Sequence, residues 1–291
     1  MNLFPTKILV ATDGSEDAAL AARAAMSLSN KSGSELHVVH TWTNVPSTRF
    51  ETYVRTQLEQ ESRRVLDEEV RRIEAAGGVV AEAHLRRGRT IDEILDLSEE
   101  IDAGLLMVGS RGLGRVKRVL MGSVSEGIHH HAQRPVLVMR GGDNAWPPAR
   151  IVIADDSSED AKKAGELAAS IGEIFGASGL LVRVYPKRLE SSGEANDVLR
   201  EAERDLEDRA RELEGILGRR PQTEIETAPG DPAAAILEVA EEGETPTLIA
   251  VGSRGLGMIQ RIRLGSVSTK VMRAALNPVL VYPHHNGAQG H

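Results

Sequence analysis

Residues 109–125 read GSRGLGRVKRVLMGSVS, and residues 252–268 read GSRGLGMIQRIRLGSVS. Each copy follows a short apolar run, LLMV at 105–108 and LIAV at 248–251. Each is followed by a polar helical segment and then by an apolar run led by Pro135 or Pro278. That order reads as strand, glycine-rich loop, helix, strand. Such a loop brings backbone N–H groups against an anion. The anion expected here is the phosphate chain of a nucleotide.

Working outward, the same spacing governs the whole chain. Asp13 and Asp156 are 143 residues apart, as are Gly109 and Gly252, Gly122 and Gly265, and Pro135 and Pro278. A constant offset of that length implies a duplicated domain. The boundaries expected are a first domain at 1–142, a linker at 143–149, a second domain at 150–285 and a flexible tail at 286–291. Composition suits two globular units, with 41% hydrophobic and 27% charged residues among 291. No apolar run approaches the ~20 residues of a membrane helix, and no signal-peptide pattern is read at the N-terminus. The absence of cysteine excludes disulfides, thiolate metal sites and cysteine catalysis, and fits a cytoplasmic location. A formal charge of −8 argues against nucleic acid as a partner.

In the first repeat, KILVA at 7–11 reads as a strand buried on both faces. Ser15 then caps a helix, with Glu16 and Asp17 favourable to its dipole. Residues 36–40 form a second strand, and helical spacing from Val54 to Ile73 ends at Gly77 and Gly78. Val79, Ala81, Ala83 and Leu85 alternate as a third strand would. Thr90 and Glu93 match a capping box for the next helix. The second repeat follows the same order, so strands alternate with helices and predict parallel sheets covered on both sides.

The glycine motif has the form G-x-x-G, nine residues, then G-S: Gly109, Gly112, Gly122 and Ser123, then Gly252, Gly255, Gly265 and Ser266. Glycine permits close backbone approach to a ligand. Each G-S pair opens a helix, and the hydroxyls of Ser123 and Ser125 add phosphate-contact candidates. No Lys follows the closing pair, so this is not a Walker A loop, and the spacing does not fit G-x-G-x-x-G.

With these motifs in place, the sequence resembles a tandem universal stress protein of the ATP-binding branch. Its other marks are an Asp after the first strand, a strand ending in an HV-type pair, and a last Pro-Val-Leu-Val strand. The resemblance implies two Rossmann-like α/β domains of the adenine nucleotide alpha hydrolase type. Each would hold a five-stranded parallel sheet of order 3-2-1-4-5 with helices on both faces. It implies ATP with Mg2+ on the phosphates, and pairing of the repeats through their fifth strands, with a homodimer as a further assembly.

By position, the resemblance puts Ala11, Thr12 and Asp13 at the nucleoside end of the first site, with the Thr41 backbone facing the adenine. Gly109, Arg111 and Gly112 would lie by the ribose and phosphates, and Gly122, Ser123, Val124 and Ser125 would hold the phosphates. In the second repeat the matching positions are Asp156, Val184, Gly252, Arg254, Gly255, Gly265, Ser266, Val267 and Ser268.

The second repeat departs from the pattern where Thr12-Asp13-Gly14 becomes Asp155-Asp156-Ser157. A carboxylate facing the site would repel phosphate, and Arg183, standing where His40 stands in the first repeat, would offset it. Arg111, Arg115, Lys117 and Arg118 flank the first loop, and Arg254, Arg261 and Arg263 the second. They read either as a charge complement to phosphate or as solvated surface. His129, His130 and His131 are adjacent on a helix and do not share a face, so they read as its cationic end. No catalytic triad or carboxylate pair emerges. The leading expectation is therefore an ATP-binding regulator of the stress response, not an enzyme, although slow hydrolysis stays open. The competing readings are an ATPase and a nucleotide-free interaction module.

Overall fold

The computed structural model describes residues 4–43, 51–112, 121–187, 195–228, 230–243, 245–253 and 265–284. The chain divides into two units, residues 4–143 and residues from 144 onward. The first contains β1 (Lys7–Ala11), α1 (Glu16–Ser32), β2 (Glu35–Trp42), α2 (Glu51–Ala75), β3 (Glu82–Arg87), α3 (Thr90–Glu100), β4 (Leu105–Gly109), α4 (Ser123–His131) and β5 (Val136–Met139). Its strands lie in the order β3-β2-β1-β4-β5, all parallel. The apolar runs end up at the centre because β1 and β4 are covered on both faces: Ile8, Leu9, Val10, Leu105, Leu106 and Met107 have no exposure.

The chain direction across the sheet reverses between β3 and β4. With right-handed crossovers, α1 and α2 therefore cover one face and α3 and α4 the other. The contacts agree, with α1 against α2 and α3 against α4. Helix α1 is bounded as its sequence predicts. Ser15 Oγ accepts from the Ala18 N–H, and Gly33 closes the helix at φ 77°.

The second unit repeats this plan with β6 (Arg150–Ala154), α5 (Glu159–Phe175), β7 (Ser178–Pro186), α6 (Ala195–Leu217), β8 (Gln222–Ala228), α7 (Pro232–Glu241), β9 (Thr247–Gly252), α8 (Ser266–Ala274) and β10 (Val279–Tyr282). Its parallel order is β8-β7-β6-β9-β10. The offset of 143 holds where Lys7 pairs Glu35 and Arg150 pairs Ser178. It slips by three at the third strand, because His37 pairs Glu82 while Leu180 pairs Gln222.

Two local expectations are corrected. Residues 79–81 are not strand; β3 begins at Glu82, Val79 is 74% exposed and Ala83 is exposed too, so the apolar alternation is not a core face. Thr90 is already helical, Arg89 occupies the cap without a side-chain bond, and Glu93 turns to Arg86 at 3.3 Å, so no capping box forms. The linker opens with a short 3-10 turn at Asp143–Ala145, and Trp146 meets Phe175 edge-on at 5.3 Å. The tail at 286–291 lies outside the described residues.

Candidate functional site

In the first unit a cavity of about 650 Å³ opens at the carboxyl ends of the strands. It lies beside β1 and β4, where the strand order reverses, the place where open α/β sheets receive ligands. Its size falls in the usual range for small-molecule sites. All the sequence-assigned residues of this repeat line it: Ala11, Thr12 and Asp13 after β1, Thr41 on β2, Gly109, Arg111 and Gly112 after β4, and Gly122, Ser123, Val124 and Ser125 at α4. Thr90 and Ile94 of α3 and Met121 complete the wall, and these the sequence reading did not assign.

The start of α4 supplies the polar wall. Gly122 caps it in an extended conformation (φ −78°, ψ 157°) and offers no side-chain acceptor. The first intrahelical bond runs from Glu126 N–H to the Gly122 carbonyl at 3.0 Å. The N–H groups of Ser123, Val124 and Ser125 therefore have no acceptor within the helix. Together with the helix dipole they favour negative charge at this wall.

Two assigned hydroxyls have other work. Ser125 is buried, and its Oγ donates to the carbonyls of Ser110 (2.9 Å) and Gly122 (3.0 Å), pinning the loop rather than pointing a donor at the cavity. Thr12 Oγ1 donates to the buried carboxylate of Glu69 at 3.2 Å and accepts from the Gly14 N–H. Asp13 Oδ1 accepts from the Ser15 N–H at 3.0 Å, and a Cβ on Gly112 would fall 2.3 Å from Asp13 Oδ2. Gly112 thus leaves room for this carboxylate at the cavity edge.

Asp17 holds the loop against the sheet, and the sequence reading saw it only as a dipole residue. Its Oδ2 accepts from Ser110 Oγ (2.6 Å), the Arg111 N–H (3.1 Å) and Arg111 Nε (3.2 Å). The buried Arg140 guanidinium lies in the same field. Burial pushes its pKa down to about 10, with Asp17 opposing the shift and Arg111 adding to it, so Arg140 stays cationic at neutral pH. Arg111 is therefore tied to Asp17 while its side chain stays 57% exposed. The signal that could have found Asp17 is its repeat partner Asp160, at the same offset of 143. Asp160 accepts from Ser253 Oγ at 3.3 Å and lies 3.1 Å from His284 Nδ1.

The second unit carries a smaller cavity of about 390 Å³. Asp156, Val184, Gly252, Gly265, Ser266, Val267 and Ser268 line it, while Arg254 and Gly255 lie outside the described residues, as do Arg115, Lys117, Arg118, Arg261 and Arg263. The loop staple repeats, with Ser268 Oγ donating to the Ser253 carbonyl at 3.2 Å. Asp155 also lines this cavity, but its charge is matched: Oδ1 lies 3.1 Å from Arg183 NH2, and both side chains are buried. Burial, the largest single influence, would lower the Arg183 pKa; the Asp155 charge and the hydrogen bonds to Tyr185 and Asp155 together outweigh it and raise the pKa. Asp155 Oδ1 also accepts from the Ser157 N–H at 2.6 Å. The expected repulsive carboxylate is thus half of a buried ion pair.

Two doubly wound units, each with a cleft at the strand ends beside a helix start without a side-chain cap, define a tandem α/β protein. The sequence profile of the Universal stress protein family matches residues 5–140 and 148–283, and the chain belongs to that family. A universal stress protein of Mycolicibacterium smegmatis is 29% identical over 210 residues, 70% of this chain and 69% of the relative. One of Bacillus subtilis is 32% identical over 146 residues, 46% of this chain and 98% of the relative. Among solved structures, a universal stress protein from Archaeoglobus fulgidus superposes with a TM-score of 0.71 at 27% identity, covering 96% of this chain and 99% of its own.

Proposed function

We propose that this chain binds an adenine nucleotide, ATP with Mg2+ on its phosphates, and acts as a cytoplasmic regulator in a stress response rather than by turnover. The observation that carries this reading is the first cavity, lined both by the start of α4, whose first N–H groups have no acceptor within the helix, and by the residues that follow β1 and β4. The phosphates would lie against Gly122, Ser123 and Val124, where the helix dipole favours their charge. The nucleoside would extend along β1 and β2 toward Asp13 and Thr41. Its apolar floor, Val39, Val108, Ile94 and Met121, suits a flat heterocycle. Ligand at one hundred times its dissociation constant stabilises the bound form by about 2.7 kcal/mol, enough to bias a surface presented to partner proteins.

The test is chemical. The purified protein is denatured and the released small molecules are separated by ion exchange, alongside a thermal-shift titration with ATP and magnesium. Released adenine nucleotide, or a saturable rise in melting temperature, supports the reading. An empty protein with no shift overturns it.

A further inference from the structure

Deeper along β2, beyond the cavity, four chemistry-bearing side chains gather on one sheet face. His37 pairs with Glu82 and Val39 with His84, so His37, Glu82 and His84 share that face. Glu35 joins them, two residues before His37. His37 Nδ1 lies 3.1 Å from His84 Nε2, with the rings stacked at 5.4 Å and 20°. Glu82 Oε2 is 3.9 Å from His84 Nε2, and Glu35 Oε2 is 3.5 Å from His37 Nε2. His37 is only 6% exposed, yet its Nε2 has no hydrogen-bond partner. Ligand atoms of His37, Glu82 and His84 all lie within 4.8 Å of one another.

We propose that His37, His84 and Glu82 bind a divalent transition-metal cation, zinc by ligand type, with Glu35 as the group that orients His37. Zn–N bonds of ~2.0–2.1 Å place two tetrahedral ligand atoms roughly 3.3 Å apart, and the two imidazole nitrogens already stand at 3.1 Å. The Glu82 side chain is 64% exposed and free to close the remaining gap. Burial lowers the His84 pKa, although Glu82 opposes this, and so favours the neutral ring that ligates metals. The free Nε2 of His37 beside Glu35 matches the carboxylate–histidine–metal arrangement that fixes a ligand ring. The next cation on this face, Arg86, is held by Glu93 and Glu100 of α3, which balance its charge.

Packing alone does not require this set. In the second unit the same register positions hold Ser178, Leu180, Gln222 and Glu224, on the same fold. The fold is therefore built equally well without the histidine pair. The site is independent of the nucleotide reading, since none of its four residues lines either cavity.

The experiment uses the full chain, stripped with a chelator and titrated with zinc against a chromophoric competitor. The wild type should bind one zinc at this site. His37→Leu, which installs the residue of the second repeat, and His84→Gln should each abolish that equivalent. Glu82→Gln should weaken it at least tenfold, and Glu35→Gln about tenfold. Glu82→Gln changes an exposed side chain, so its zinc-free melting temperature should match the wild type and exclude misfolding as the cause. Cobalt bound at the site should show visible d–d bands that vanish in His84→Gln. No zinc binding by the wild type would overturn the proposal. So would unchanged binding in the His37→Leu, His84→Gln double variant, which would place the metal on other histidines.

Discussion

Asp17 and Asp160 illustrate how a residue can hold the start of a loop in place without lining either cavity. Asp17 gathers the hydroxyl of Ser110 and two donors of Arg111, so the strand end and the loop start are held to α1. Gly109 permits that approach: a Cβ there would fall 2.6 Å from the Asp17 carbonyl carbon and 2.7 Å from the Ala18 nitrogen. Because the obstacle is backbone, Gly109→Ala should lower stability by about 1–3 kcal/mol in urea unfolding. Its role is packing first and ligand approach second. Gly14 and Ser157 make the opposite case. Gly14 sits at φ 80°, and Ser157 adopts φ 64° in its place, held there by its bond to Asp155. A left-handed Ser costs about 1–2 kcal/mol, so Ser157→Gly should raise the free energy of unfolding by up to that amount in urea titrations. Arg183→Leu should cost about 3–5 kcal/mol, because it strands Asp155 as an unpaired buried charge.

At the scale of elements, β8 carries a built-in repulsion. Glu224 and Glu226 lie on the same face, two residues apart, and the Glu224 pKa is raised, first by sharing a hydrogen bond with Glu226 and then by burial. A carboxyl whose folded pKa is raised adds stability below its unfolded value, near 4.5. That contribution is lost as pH rises through the folded value. Glu226→Gln should therefore stabilise the protein at pH 7 by roughly 0.2–1 kcal/mol and have a smaller effect near pH 4.5. Urea titrations at the two pH values check the sign. The starts of α4 and α8 are alike in kind, each capped by a glycine without a side-chain bond, so the phosphate preference should be common to both units. What differs is the wall opposite: Thr12 with Glu69 in one unit, Asp155 with Arg183 in the other.

For the whole molecule, the two cavities rank the sites. The first is about 650 Å³ and the second about 390 Å³, and on that difference we propose that nucleotide binds more tightly in the first. ATP titrated into Gly122→Val should show a loss of about tenfold or more in the tightest binding step, corresponding to about 1.4 kcal/mol. Gly265→Val should leave that step in place; equal losses would contradict the ranking. Much of this plan was legible in the sequence. The duplication, the element order and the loop residues follow from local patterns: apolar runs, glycine spacing and caps, each set by neighbours a few residues apart. The third strand was misread, and its three-residue slip missed, because register depends on pairing across the sheet rather than on its own alternation. For the same reason the sequence alone determined that each repeat presents a glycine loop at a strand end. Only the tertiary structure decided that Asp17 ties that loop down, that Asp155 meets Arg183, and that His37 meets His84. These contacts join residues 28 to 94 positions apart, and such distances are closed by packing and strand pairing, not by any local pattern.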